Sequence, residues 1–275
     1  MSLGRRQVSV DDSSRWVFNR MADVYGARPP YPAELLEALS ELLDTPSGVV
    51  LDVGAGVGHL AVPLSERGHR VVALEPARSM LEELEVAAQA RGLELSTHHG
   101  AAEAIPLPDE SVDLVVVADA LHFLNQELAA PEIERVMRPR TALAVVTVEF
   151  ADTPFMNALQ LLIDETTDRR RRDVAGSVVQ LGRRCGVALG PPRRILDETP
   201  MSFEELQRVL ASISFLGPAL SPARAAVFSD RLEALPGPRV WSRAISLHAG
   251  RRSRRQPPRV RARGVSERRR DVSHG

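Results

Sequence analysis

The stretch VVLDVGAGVGHLAVPLSERGHRVVALEPARSM, from Val49 to Met80, places three glycines at alternate positions, Gly54, Gly56 and Gly58, after a short apolar run. A second apolar run ends in an acid, Glu75, 21 residues after Gly54. Glycines let a backbone approach a bound molecule closely, and unshielded amides at the start of a helix attract polar or anionic groups. A carboxylate at the tip of the next strand accepts hydrogen bonds from ribose hydroxyls. The residue types therefore suit a ligand that contains a nucleoside. Two spacings compete. A dinucleotide fingerprint, G-x-G-x-x-G, would need glycine at position 59, where His59 stands. The chain reads D-x-G-x-G-x-G from Asp52 instead.

Such a loop works only if strands and helices hold it. Val49 to Val53, Arg70 to Leu74, Leu93 to His98, Val112 to Ala118 and Ala142 to Phe150 are short, mostly apolar, β-branched runs suited to strands buried on both faces. Ala61 to Arg67, Ser79 to Arg91 and Leu128 to Met137 between them, and Ala33 to Leu43 ahead of them, have helical spacing. Strict alternation with short connections argues for right-handed βαβ units and a doubly wound parallel sheet of the α/β class, with its ligand at the carboxyl ends of the strands. Pro63, inside the first of these helices, predicts a kink or a late helix start.

Composition bounds the alternatives. With 275 residues, 44% of them hydrophobic, the chain is most simply one elaborated domain, here taken as residues 16–250 behind a flexible segment 1–15. No apolar run approaches the ~20 residues of a membrane span. The opening MSLGRRQVSVDDSSRW has no apolar core and does not read as a signal peptide. A single cysteine, Cys185, allows no internal disulfide and fits a cytoplasmic location. All 35 basic residues are arginine, which excludes lysine Schiff-base chemistry and a P-loop lysine. Residues 251–275 hold ten arginines against Glu267 and Asp271, a net of +8, so a basic disordered tail is expected there. Such a tail binds phosphates by counterion release, but no aromatic residue interleaves the arginines to stack a base. Nucleic acid is thus the lesser expectation.

The D-x-G-x-G-x-G pattern with its later glutamate resembles the first motif of class I S-adenosylmethionine-dependent methyltransferases. The segment GAAEAIPLPDESVDLVVVADALHFL resembles the part where that family contacts adenine and closes its fourth strand. FNRMADVYGARPPYP and ALHFL are similar to the small-molecule branch that includes trans-aconitate methyltransferase. The resemblance implies a seven-stranded, mostly parallel sheet with an antiparallel last strand, and residues 151–235 as a helical insertion over the acceptor. S-adenosylmethionine is the cofactor it implies. Asp52, Gly54, Ala55, Gly56 and Gly58 would shape the methionyl pocket, and Glu75, with Pro76 beside it, would take the ribose hydroxyls. Ala102 and Glu103 would flank adenine, and Asp119 would lie near the sulfonium. Met80 fits an adenine contact or plain core. Arg28 fits a carboxylate clamp or a surface ion pair, and Tyr25 a cover or packing. Many relatives have Pro-Gly-Gly before strand five; here Pro139-Arg140-Thr141 must turn without glycine.

Methyl transfer needs mainly an acceptor atom held in line with the carbon–sulfur bond. His122, three residues past Asp119, is the candidate base, or else a pocket wall. Glu149, at the end of strand five, orients an acceptor or is a surface acid. No metal site is expected, since His98 and His99 are neighbours in a strand and face opposite sides. After strand five the pattern predicts a helix over Thr153 to Asp168, a charge run RRRRD, a strand at Arg194 to Thr199, a capped helix at Ser202 to Ile213 with the box Ser202/Glu205, a helix at Pro222 to Leu235 and a strand at Val240 to His248. The leading expectation is methylation of a small organic acid or secondary metabolite, at oxygen, by a monomer or homodimer that contacts no membrane. The alternatives are a nucleic-acid methyltransferase recruited by the tail and a cofactor-binding scaffold without turnover.

Overall fold

The computed structural model describes residues 18–45, 47–167 and 174–252. The expected flexible N-terminus 1–15, the RRRRD run and the tail from residue 253 onward lie outside the described residues. The elements are α1 (Ala22–Tyr25), α2 (Ala33–Ser40), β1 (Val49–Val53), α3 (Ala61–Glu66), β2 (Arg70–Glu75), α4 (Arg78–Gln89), β3 (Ser96–His99), β4 (Val112–Ala118), α5 (Gln126–Val136) and β5 (Met137–Phe150). After these come α6 (Pro154–Thr166), α7 (Val174–Arg184), β6 (Arg193–Pro200), α8 (Phe203–Ala211), α9 (Pro222–Glu233) and β7 (Val240–Arg251). Two 3-10 turns, Ala102–Ala104 and Leu121–Phe123, follow β3 and β4.

The strands form one seven-stranded sheet in the order β3-β2-β1-β4-β5-β7-β6. The first five pair in parallel, and β7 lies antiparallel between β5 and β6. This is the doubly wound α/β sheet with an antiparallel last strand that the pattern and the resemblance implied. Alternation along the central strands explains it. Leu51, Val53, Val115, Val117, Leu143 and Val145 bury one face under α5 and α7, while Val50, Leu114, Val116, Ala144 and Val146 bury the other under α2 and α3. Each such valine or leucine stabilises the fold by roughly 1.5–3 kcal/mol, so the sheet centre contributes heavily to folding. Phe155, Met156, Leu159, Leu206, Leu210, Phe228 and Trp241 form a separate apolar cluster among α6, α8, α9 and β7. Helices α6, α8 and α9 therefore have their own core against β7.

Boundaries moved where caps outweigh apolar pattern. β3 begins at Ser96 rather than Leu93, because Gly92 (φ +67°) turns the chain and Leu93 donates to the Ala88 carbonyl to close α4. Pro63 falls at the third position of α3, which starts at Ala61 as read; the Val62 and Leu64 amides donate to Gly58 and Leu60 on either side of the bond that the proline cannot make. Ser202 and Glu205 form the reciprocal capping box as read, and α9 starts at Pro222 behind the Ser221 cap. Helix α7 was not assigned from sequence, since Gly176 and Gly182 weaken its pattern. Gly182 has a packing reason: a Cβ there would stand 2.8 Å from Leu189 Cγ. β7 runs three residues beyond the expected His248, and Arg251 and Arg252 belong to the fold: Arg252 is buried, with Nη1 donating to the carbonyls of Glu134 and Met137.

β5 begins at Met137, with an irregularity in its pairing to β4 between Val112 and Leu114. The turn inside it adopts φ +72° at Arg140, so the left-handed conformation that glycine accepts freely is forced on an arginine. Arg140→Gly is expected to raise stability by roughly 1 kcal/mol, the order of strain at such a residue less glycine's entropy. Urea unfolding measures it; a variant no more stable than the parent contradicts the strain.

Candidate functional site

The turn after β1 is held in place by the end of β2. Gly54 and Ala55 both donate to the Leu74 carbonyl, at 2.8 and 3.2 Å. Glu75 then closes the turn with both carboxylate oxygens, Oε2 accepting from the Gly56 amide and Oε1 from the Ala77 amide, each at 2.8 Å. Gly54, Gly56 and Gly58 have φ of +75°, +56° and +89°, a region closed to most side chains. A Cβ at Gly54 would lie 2.7 Å from Ala120 Cβ, and one at Gly58 would lie 2.9 Å from Leu84 Cγ. Gly54 and Gly56 thus face the site, whereas Gly58 lets α4 pack against the loop.

Beyond the carboxyl ends of β1, β2 and β4 lies a cavity of ≈ 350 Å³. Its floor is Val53, Gly54 and Gly56; one side is Leu74 to Ala77 with Met80, and the other is Gly100 to Glu103. Asp119, Ala120, Phe123, Leu124, Asn125 and Leu128 form the wall after β4, and Phe18 and Tyr25 close it from the N-terminal segment. Of the candidate residues, Tyr25, Gly54, Gly56, Glu75, Pro76, Met80, Ala102, Glu103 and Asp119 line this cavity. Met80 also packs with Met21, Ala22 and Ala77, so its core reading holds while one part of it lines the cavity.

The other candidates lie outside the lining. Ala55 is buried behind the loop. His122 and Glu149 are exposed and absent from the cavity wall, His122 in the 3-10 turn against the Phe123 ring at 3.8 Å and Glu149 near the end of β5. Arg28 sits one layer out. Its guanidinium lies 4.2 Å from the Tyr25 ring centroid, donates to Tyr25 Oη at 3.0 Å and stands 3.6 Å from Asp119 Oδ2. Of the two readings of Arg28, the ion pair is the one observed, with Asp119 of the cavity wall as its partner.

Sequence reasoning missed Phe18, Phe123, Leu124, Asn125 and Leu128. Asn125 carried a signal, since asparagine before a helical run is a favoured cap, and its side chain accepts from the Glu127 amide to start α5. Glu103 supports that start too, accepting from the Asn125 amide at 2.8 Å. The edge-to-face contact of Phe18 with Phe123, 4.8 Å between centroids, joins segments far apart in the chain and has no local signature. Asp119 adopts φ +48°, a conformation that aspartate tolerates better than most residues.

Electrostatics single out groups near the loop. Asp52 is 1% exposed, and burial, reinforced by Glu75, pushes its carboxyl up to about 7, against a hydrogen bond from the Ala61 amide at the start of α3. Its Oδ2 has no hydrogen-bond partner among the described residues. His59, noticed in the sequence only because it breaks the dinucleotide spacing, stacks on Tyr25 with centroids 5.9 Å apart. Burial, with Arg28 and Arg243 nearby, lowers its imidazole to about 4, so it is neutral at physiological pH. Burial likewise holds the Tyr25 phenol above its usual value. Cys185 is buried beside the Ala130 carbonyl and its thiol is pushed up to about 12, the environment of a packed rather than a reactive thiol. Among the described residues, no group of three or more His, Cys, Asp or Glu is placed to hold a metal ion, and no helix is long and apolar enough to cross a membrane.

Residues 51–145 match the family model of the methyltransferase domain. That span begins inside β1 and ends inside β5, so it covers the glycine turn, Glu75 and the whole cavity wall after β4. The chain is 44% identical over 147 residues to an uncharacterized methyltransferase of Mycobacterium tuberculosis, an overlap of 53% of this chain and 55% of the relative. The chain thus spans about half the length of the curated relatives it matches. Among solved structures, the YcgJ protein of Bacillus subtilis is similar in fold at TM-score 0.58 and 17% identity, covering 81% of this chain and 99% of that one. The [4+2]-cyclase SpnF is similar at TM-score 0.57 and 17% identity, over 87% and 97% of the two chains. The sheet is the Rossmann-like methyltransferase sheet, and S-adenosylmethionine is the cofactor of that domain. The residues present suit it: a floor where Gly54 leaves no room for a Cβ and Gly56 has a left-handed backbone, a carboxylate held at the cavity edge, and apolar walls able to sandwich a base.

The raised Asp52 carboxyl has a stability consequence. The folded protein holds this proton more tightly than the unfolded chain, so the contribution is full below the ordinary carboxylate range and is lost as pH rises from about 4 through about 7. Asp52→Asn, which keeps a neutral side chain at every pH, is expected to gain stability relative to the parent between pH 5 and pH 8 by an amount on the order of a few kcal/mol. Urea unfolding at the two pH values reads the difference; a constant gap between the proteins contradicts a neutral Asp52.

Proposed function

We propose that the chain transfers a methyl group from S-adenosylmethionine to a small organic acid or secondary metabolite, at an oxygen atom. The observation that carries this reading is the Glu75 carboxylate, fixed by the Gly56 and Ala77 amides at the edge of a cavity whose floor is glycine. A carboxylate oxygen accepts more than one hydrogen bond, so Glu75 retains capacity for the two ribose hydroxyls. Met80 and Ala102 line the part of the cavity suited to the flat base, and Asp119 supplies negative charge for the sulfonium end. When bound, the cofactor supplies an activated methyl group to an acceptor held about 3 Å away and in line.

The chain's own part is then binding, orientation and exclusion of water. Tyr25 and Phe18 line the cavity from the N-terminal segment, and in this reading helices α6, α8 and α9, packed with Phe150 and Trp241, serve as the acceptor cover. Neutral Tyr25 and neutral His59 offer hydrogen bonds to an acceptor without adding charge. Exposed His122 and Glu149 carry no step in this proposal. Fold alone does not fix the chemistry, as the cyclase with the same architecture illustrates.

Incubation with methyl-labelled S-adenosylmethionine and a metabolite extract is expected to place label in a low-mass product. Binding of the cofactor with no label transfer to any small molecule would refute methylation and favour a scaffold, while label in RNA or DNA that is lost on truncation after Arg252 would favour nucleic acid. Glu75→Ala is expected to weaken S-adenosylhomocysteine by roughly 1–3 kcal/mol, the range for hydrogen bonds to a charged group. Calorimetry at parental affinity in that variant removes Glu75 from the ligand's contacts.

A further inference from the structure

Arg28 is the side chain that joins the cavity wall to the insertion. Its Nε donates to Ser212 Oγ at 2.9 Å and its Nη2 to the Ser212 carbonyl at 3.0 Å, across 184 residues of sequence. Ser212 caps the C-terminus of α8 and is fully buried; its hydroxyl donates to the Val209 carbonyl at 2.5 Å and so presents a lone pair to Arg28. Leu206, Val209 and Leu210 seat α8 in the apolar core of the insertion, which makes Ser212 a rigid anchor. Two of the three guanidinium nitrogens are thereby fixed. The third, Nη1, faces the wall, at 3.0 Å from Tyr25 Oη and 3.6 Å from Asp119 Oδ2. The latter distance is longer than the roughly 2.7–2.9 Å of a closed charge-assisted bond.

We propose that Ser212 is a positioning residue that sets the planar fork of Arg28 so that Nη1 receives the carboxylate of the cofactor's methionyl arm. The inference rests on the cofactor reading above and adds that the insertion takes part in cofactor binding through one serine. Arginine suits this because its nitrogens lie in a fixed plane, so two bonds to Ser212 determine where the third nitrogen points. Lysine in its place keeps the charge without the fork. Asp119 beside Nη1 holds the guanidinium until a ligand carboxylate arrives, and the Tyr25 ring, its centroid 4.2 Å from Cζ, adds a cation–π contact.

Calorimetry with two probes tests this: S-adenosylhomocysteine, which has the carboxylate, and 5′-methylthioadenosine, which has the same nucleoside and no amino-acid arm. Ser212→Ala is expected to weaken the first about tenfold and leave the second unchanged. Arg28→Lys, at a partly exposed position, is expected to show the same selective loss and provides the test where the serine variant does not fold. Equal loss of both probes would mean a merely structural role, and no loss of either would mean no role; each overturns the inference while leaving the cofactor reading intact. Failure of the parent protein to bind either probe overturns the cofactor reading itself.

Discussion

A buried-edge carboxylate bonded to two backbone amides is the constraint on which the rest depends. Glu75 ends β2, and its oxygens hold the Gly56 and Ala77 amides, so the turn after β1 and the start of α4 are set by the same side chain. Hydrogen bonds to an ionised acceptor are worth about 1.5–3 kcal/mol each, enough to hold glycines whose backbone is otherwise the least ordered in the chain. The raised proton affinity of Asp52 follows from the same arrangement, because Glu75 is the second cause after burial. Loop geometry and the proton affinity of Asp52 are thus coupled through one residue.

Local signals made the sheet legible. The β-branched runs became β1, β2, β4 and β5 because their residues alternate between two buried faces, and the glycine spacing could be read since each glycine answers a steric demand within a few residues. The Ser202/Glu205 box was legible for the same reason. What was missed is long-range. Glu75 was read as a ligand acceptor, and its grip on Gly56 depends on β1 and β2 lying side by side. Phe18 on Phe123 depends on the N-terminal segment meeting the turn after β4, and Arg28 on Ser212 on that segment meeting the end of α8. His122 and Glu149 looked well placed because they follow strand ends, yet position along a strand does not give depth, and both side chains are exposed.

The N-terminal segment and the insertion are tied by arginines rather than by apolar area alone. Arg243 of β7 donates to the carbonyls of Pro29 and Pro30 while paired with Asp197 of β6, and Arg28 does the corresponding work at Ser212. Both guanidiniums satisfy backbone carbonyls that no strand or helix would pair. The N-terminal segment is therefore fastened at fixed points to β7 and to the end of α8. The opposite end of the sheet is fastened separately, where Arg252 bonds to Glu134 and Met137.

The central claim is that the crevice holds an aminoacyl-nucleoside by its ribose and its carboxylate. A crystal grown with S-adenosylhomocysteine and a nicotinamide dinucleotide both present tests it most directly. The account predicts the homocysteine compound in the cavity with its ribose hydroxyls on Glu75; the dinucleotide in that place, with its pyrophosphate on the glycine turn, would contradict it.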